Sequence, residues 1–207
     1  MSALLIRRRR PIAEPTADLS MNHAALPAMA TTRDGVAGAG RIAQALADLG
    51  VTLDPCRQLV VDADGPVEAL GDVDLGARFE TVVLGSHLVN VPDADSRAAF
   101  LGLARRHLAP RGTLLVEHHP LDWAETAAEV RATPGGSTLG MVDVRRDPPF
   151  VSAASVYDVG GRVVRQPFTA RVLSDAELAA SLSGAGFADT RRLSPTWLAV
   201  QEVNARG

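Results

Sequence analysis

Lysine is absent from this chain of 207 residues; all 21 basic residues are arginine. Chemistry that needs a lysine nucleophile, a Schiff base or a P-loop lysine is therefore excluded. Cysteine is nearly absent too. Cys56 stands alone, which removes every intrachain disulfide and every CxxC-type zinc or iron–sulfur site and sets the expectation of a reducing, cytoplasmic setting. Aromatic residues make up 4% of the chain, so few platforms exist on which bases could stack. No apolar stretch reaches the ~18–20 residues that span a bilayer, because Arg, Asp, Gly or Pro interrupts each one. Four of the arginines form the run Arg7 to Arg10, and the remaining 17 face 24 acidic residues over 11–207. That acidic body lacks the continuous basic face that a nucleic-acid backbone requires.

What is present describes one soluble domain. With 46% hydrophobic residues, a chain of this length buries roughly 70% of the surface it exposes when unfolded. Residues 1–26 read as a flexible tail, with charges following the apolar stretch, the reverse of an export signal. Residues 27–207 read as a single domain built on strand–helix alternation. A Gly-rich turn, VAGAG at 36–40, runs into RIAQALADLG, where Ile42, Leu46 and Leu49 recur at helical spacing. RQLVVDADG reads as a short strand ending in Asp62 and Asp64. FETVVLG is a strand buried on both faces, SRAAFLGLARRHL a helix through Leu108, and TLLVEHHP a second buried strand, the three forming a parallel crossover.

After Pro120 the pattern changes to alternating apolar and polar residues separated by Pro-Pro and Gly-Gly, the signature of an antiparallel insertion over 138–173. It closes on SDAELAASLSGAGF, in which Ser174 and Glu177 have the spacing of a capping box, and two short strands end the domain.

Ligands bind where parallel strands end and helices begin. Two polar clusters fall there: Ser86, His87 and Asn90 after FETVVLG, and Glu117, His118 and His119 after TLLVE. A histidine in such a place can take a proton from an attacking amine or hydroxyl. His118, with Trp123 nearby in sequence, and His87 are the candidate bases, and their rings are expected around one cleft. No metal is assigned, since His118 and His119 point to opposite faces of a strand. His23 and His107 read as surface residues. The LVVDADG segment is also similar to the opening of haloacid-dehalogenase-type phosphatases, but Pro66 stands where that motif has a hydroxyl.

Taken in order, FETVVLGSHLVN, ARRHLAPRGTLLVEHHP and FTARVLSDAELAASLSGAGF resemble the second half of a class I S-adenosylmethionine-dependent methyltransferase, over about residues 72–203. The resemblance implies an α/β, three-layer Rossmann-like fold with a mostly parallel sheet and an antiparallel β extension. It implies S-adenosylmethionine as cofactor, held by Gly38 and Gly40 of RDGVAGAGR, by Asp62 or Asp64 at the ribose, and by Ser86. Val36 stands where the family's first glycine belongs, and only 28 residues separate Gly50 from Phe79, so one strand–helix unit is compressed and LVVDADG is either the second or the third strand. The activity implied is methyl transfer to a small-molecule acceptor, with neither nucleic acid nor membrane as partner. The alternative is a non-catalytic methyltransferase-like binding or scaffold protein. As a protein partner, a second copy of the chain or an active methyltransferase fits either reading.

Overall fold

The computed structural model describes residues 4–7, 44, 45, 47–51, 58–63, 74–132, 138–159 and 162–202. Among the described residues, ten strands form two sheets. The first contains β1 (Leu4–Arg7), β2 (Gln58–Ala63), β3 (Phe79–Leu84), β4 (Leu108–Glu117), β9 (Phe187–Ser194) and β10 (Trp197–Glu202) in the order β1-β2-β3-β4-β10-β9. Parallel hydrogen bonding joins β2 to β3 and β3 to β4. The other three neighbouring pairs are antiparallel. The sheet is thus mixed: β2, β3, β4 and β9 run one way, and β1 and β10 run the other. Within the segment read as a tail, residues 4–7 take the edge position beside β2.

Helix α1 (Ala94–His107) connects β3 to β4. Asp93 caps it by accepting the Ser96 N–H at 2.7 Å, and Asp95 in its first turn and Arg105 and Arg106 in its last turn complement the helix dipole. The helix ends one residue earlier than its apolar spacing predicts. Leu108 is already extended, and Pro110, which disfavours helical geometry in Ala109 and has no N–H to give, keeps the helix from resuming.

Strand alternation divides the core between two faces of the sheet. Val82, Leu84, Leu114, Val116, Leu198 and Val200 pack with Phe100, Leu101 and Leu103 of α1, and with Leu178 and Leu182 of α3 (Asp175–Gly184). Val83, Leu115, Trp197 and Ala199 point to the opposite face and meet Leu49 and Val51, just after helical residues 44, 45, 47 and 48. Burying each such side chain is worth about 1.5–3 kcal/mol, so the two clusters dominate the stability of this part.

The second sheet is an antiparallel meander of β5 (Val130–Ala132), β6 (Thr138–Asp147), β7 (Phe150–Val159) and β8 (Arg162–Arg171). It matches the alternation read over 138–173 and adds β5 ahead of it. A bulge after Val142 places Asp143 at φ 55°. The chain then enters α3 through the expected capping box: the Ser174 hydroxyl accepts the Glu177 N–H, and the Glu177 carboxylate accepts from the Ser174 N–H and O–H.

His107 corrects the sequence reading. It is fully buried rather than at the surface. Its Nε2 accepts the Leu75 N–H at 3.0 Å, so the proton sits on Nδ1, which donates to the Leu103 carbonyl at 2.9 Å.

Candidate functional site

The register of the parallel strands brings their carboxyl ends to one rim. Val61 pairs with Leu84, and Leu84 with Val116. Asp62 in β2 therefore stands level with Gly85, and the Ser86–His87 turn lies beside Glu117 at the end of β4. Gly38, Gly40 and Asp64 lie outside the described residues.

Ser86 and His87 are both left-handed, at φ 51° and 55°. Neither is glycine, and each such residue costs on the order of 1–2 kcal/mol. The turn is held against that strain from several sides. Glu117 is 3% exposed, and its Oε2 accepts the Ser86 N–H at 2.7 Å. The His87 carbonyl accepts the Asn90 N–H at 2.8 Å, closing a short 3-10 turn over Leu88–Asn90. Arg97, buried on α1, donates from Nε to the Val89 carbonyl at 2.9 Å and from Nη2 to the Val91 carbonyl at 3.0 Å. Burial and the neighbouring charge of Arg171 hold its guanidinium below the usual arginine range.

Asn90 is the crosspiece. Its Oδ1 accepts the His119 N–H at 2.9 Å, and its Nδ2 donates to the Arg171 carbonyl at 2.9 Å, so one buried side chain ties β3 to the end of β4 and to β8 in the second sheet.

Three flat side chains stack above this frame. The His87 and His119 ring centroids are 3.8 Å apart with 13° between planes, and those of His119 and Trp123 are 3.6 Å apart with 2°. Trp123 opens the one-turn helix α2 (Trp123–Thr126). Burial first, then the charges available to His87 and His118, push the His119 imidazole down to about 2, so at neutral pH it is uncharged. The Nε2 of His87 lies 3.9 Å from Oε1 of Glu117, and the His87 side chain is 27% exposed.

His118 behaves differently. Its N–H donates to the Thr196 carbonyl at 2.8 Å, which keeps it in line with β10, and its Nδ1 donates to the His119 carbonyl at 3.0 Å. The residue is 4% exposed, and its Nε2 is buried with no hydrogen-bond partner. Burial lowers its proton affinity, and Arg192 lowers it further against the opposing charge of Asp175. The partner of His87 is therefore His119, in place of the His118 expected from the sequence. Strand alternation keeps His118 with β9, β10 and α3, while Asn90 draws His119 to the rim.

Arg97 is a supporting residue that the sequence reading passed over. Its signal was present: it precedes Phe100 and Leu101 by three and four positions and so shares their buried stripe.

The rim thus sets the buried Glu117 carboxyl beside a stack of three rings, of which His87 is partly exposed. The sequence matches no protein-family model and no curated protein. Solved structures do resemble it. An S-adenosylmethionine-dependent methyltransferase from Clostridium acetobutylicum superposes with a TM-score of 0.52 over 83% of this chain and 72% of its own, at 9% identity. The CcbJ methyltransferase from Streptomyces caelestis gives 0.48 over 81% of each chain at 21% identity. The sugar N-methyltransferase KedS8 from a Streptoalloteichus species gives 0.46 at 19% identity, over 64% of this chain and 60% of that one. The first superposition, read with the sheet order and the crossover, identifies the architecture: this chain has the fold of the class I S-adenosylmethionine-dependent methyltransferases.

Proposed function

We propose that the chain transfers a methyl group from S-adenosylmethionine to a small-molecule acceptor bearing an ionisable amine or hydroxyl. The observation that carries this reading is the His87–Glu117 pair at the carboxyl ends of adjacent parallel strands, on the edge where this fold type takes its ligands. When bound, the cofactor supplies an electrophilic methyl group on a positively charged sulfur. The rim suits that charge, because Glu117 is a buried carboxylate and the neighbouring His119 is neutral.

In this reading Gly38 and Gly40 let the backbone approach the methionine end, Asp62 or Asp64 accepts from the ribose hydroxyls, and Ser86 lines the turn between them and the acceptor. The acceptor's proton goes to His87. His118 suits that role less well, since it is buried and its Nδ1 proton is engaged by a carbonyl. Positioning supplies most of the rate, and the base contributes about 10²–10⁴-fold.

Calorimetric titration with S-adenosylhomocysteine tests the reading. Saturable heat at micromolar ligand, lost in Gly38→Val while thermal unfolding stays unchanged, is the expected result. No heat up to millimolar ligand overturns it in favour of the non-catalytic binding or scaffold protein.

A further inference from the structure

We infer that Glu117 is a positioning residue for His87: it keeps the proton of the neutral imidazole on Nε2, leaves Nδ1 as the accepting nitrogen, and strengthens proton binding at His87. The inference rests on the proposed methyl transfer only for the use made of that proton.

The carboxylate divides its two oxygens. Oε2 accepts the Ser86 N–H at 2.7 Å, and Oε1 faces His87 Nε2 at 3.9 Å. A carboxylate buried to this degree retains its charge only where donors surround it. The chain supplies one in the Ser86 N–H, presented by a turn whose two consecutive residues, Ser86 and His87, are both left-handed. The His119 ring stacks against the face of His87, and the Glu117 carboxylate stands 3.9 Å from its Nε2, an electrostatic contact longer than a hydrogen bond. Both groups come from consecutive parts of one strand end, itself anchored through Asn90.

The charged and titratable groups around His87 fix the sign of the effect. Glu117 on β4 attracts a proton to His87. His119, which follows on the same segment, repels one only when charged, and it is neutral. Asp62 on the neighbouring strand is level with Gly85 in the backbone register. A carboxylate within ~4–6 Å raises the proton affinity of a cationic group by about one pH unit or more.

The test uses the whole chain with 15N-labelled imidazoles, the His87 resonance being assigned from its loss in His87→Gln. Above the titration midpoint the 15N shifts should report the Nε2–H tautomer. In Glu117→Gln, which keeps the shape and an oxygen for the Ser86 N–H, the midpoint of His87 should fall by about one pH unit, a tenfold loss in proton affinity. An Nδ1–H tautomer in the unaltered protein, or an unchanged midpoint in Glu117→Gln, overturns the inference. Should that variant fail to fold, the tautomer in the unaltered protein decides alone. Neither reading depends on turnover: a shifted midpoint without S-adenosylhomocysteine binding sinks the methyl-transfer reading and leaves the positioning role standing, and the reverse result does the opposite.

Discussion

The rings of His119 and Trp123 lie face to face, 3.6 Å apart and 2° from parallel. With His87 on its other side, the imidazole of His119 has little room for the water a charge would need, and burial heads the causes that push it down to about 2. His118 is shifted in the same direction, again by burial first. Both start from 6.5 in the unfolded chain. Below that value the unfolded state binds protons that the folded state refuses, so stability is fully present above about pH 6.5 and falls on acidification, by up to about 1.4 kcal/mol per pH unit for each histidine. His119→Phe keeps a flat ring in the stack and removes the titration. Urea unfolding midpoints at about pH 7 and about pH 5 should therefore differ less in that variant than in the unaltered protein; an equal difference would show that His119 charges freely in the fold.

Two glycines should respond to alanine in opposite directions. A Cβ at Gly112, in β4, would lie 2.8 Å from the Ala109 carbonyl oxygen and 2.9 Å from that of Glu80, both backbone atoms. Gly112→Ala should cost about 1–3 kcal/mol, the range for forcing atoms into a filled space. At Gly102, inside α1, nothing lies within 4 Å of the added carbon. Gly102→Ala should stabilise by about 0.5–1 kcal/mol, through helix propensity and a less flexible unfolded chain. Thermal denaturation of the two variants in parallel checks the packing of β4 against β3.

The capping box predicts a cost confined to one helix end. Ser174→Ala removes the acceptor for the Glu177 N–H and one donor to its carboxylate, and should destabilise by about 1 kcal/mol. Hydrogen bonds from the Ser174 backbone and hydroxyl also hold the Glu177 carboxyl below the usual carboxylate range. The contribution of that group is present above its unfolded value and is lost as pH falls through its folded one. Unfolding midpoints that coincide for Ser174→Ala and the unaltered protein at neutral pH would contradict the box.

His107 gives a test far from the rim. Its two ring nitrogens satisfy Leu75 and Leu103 inside the core. His107→Leu fills similar space but leaves a backbone donor and an acceptor without their partner, at a cost of about 1–3 kcal/mol. Hydrogen exchange should locate the effect, with the Leu75 amide losing protection. Retained protection there would mean that this hydrogen bond is not formed in solution.

Much of the architecture was legible in local pattern. The continuous apolar runs marked β3 and the second part of β4, helical spacing marked α1, and Ser174 with Glu177 marked the start of α3, because period and cap chemistry act within a few residues. Alternation announced the second sheet for the same reason. The residues of the candidate site, from Ser86 to Asn90 and from Glu117 to His119, could be found as polar groups at the ends of buried strands.

Their arrangement could not be found that way. Whether His118 or His119 meets His87 depends on Thr196 and Asn90, whose bonds to them cross 78 and 29 positions of the chain. Local sequence has no means of ranking partners at that distance. The placing of β10 between β4 and β9, the seat of β2 directly beside β3, and the burial of His107 under Leu75 have the same origin. Each is decided by which apolar faces and unsatisfied backbone groups meet when the sheet closes, and that is a property of the assembled fold.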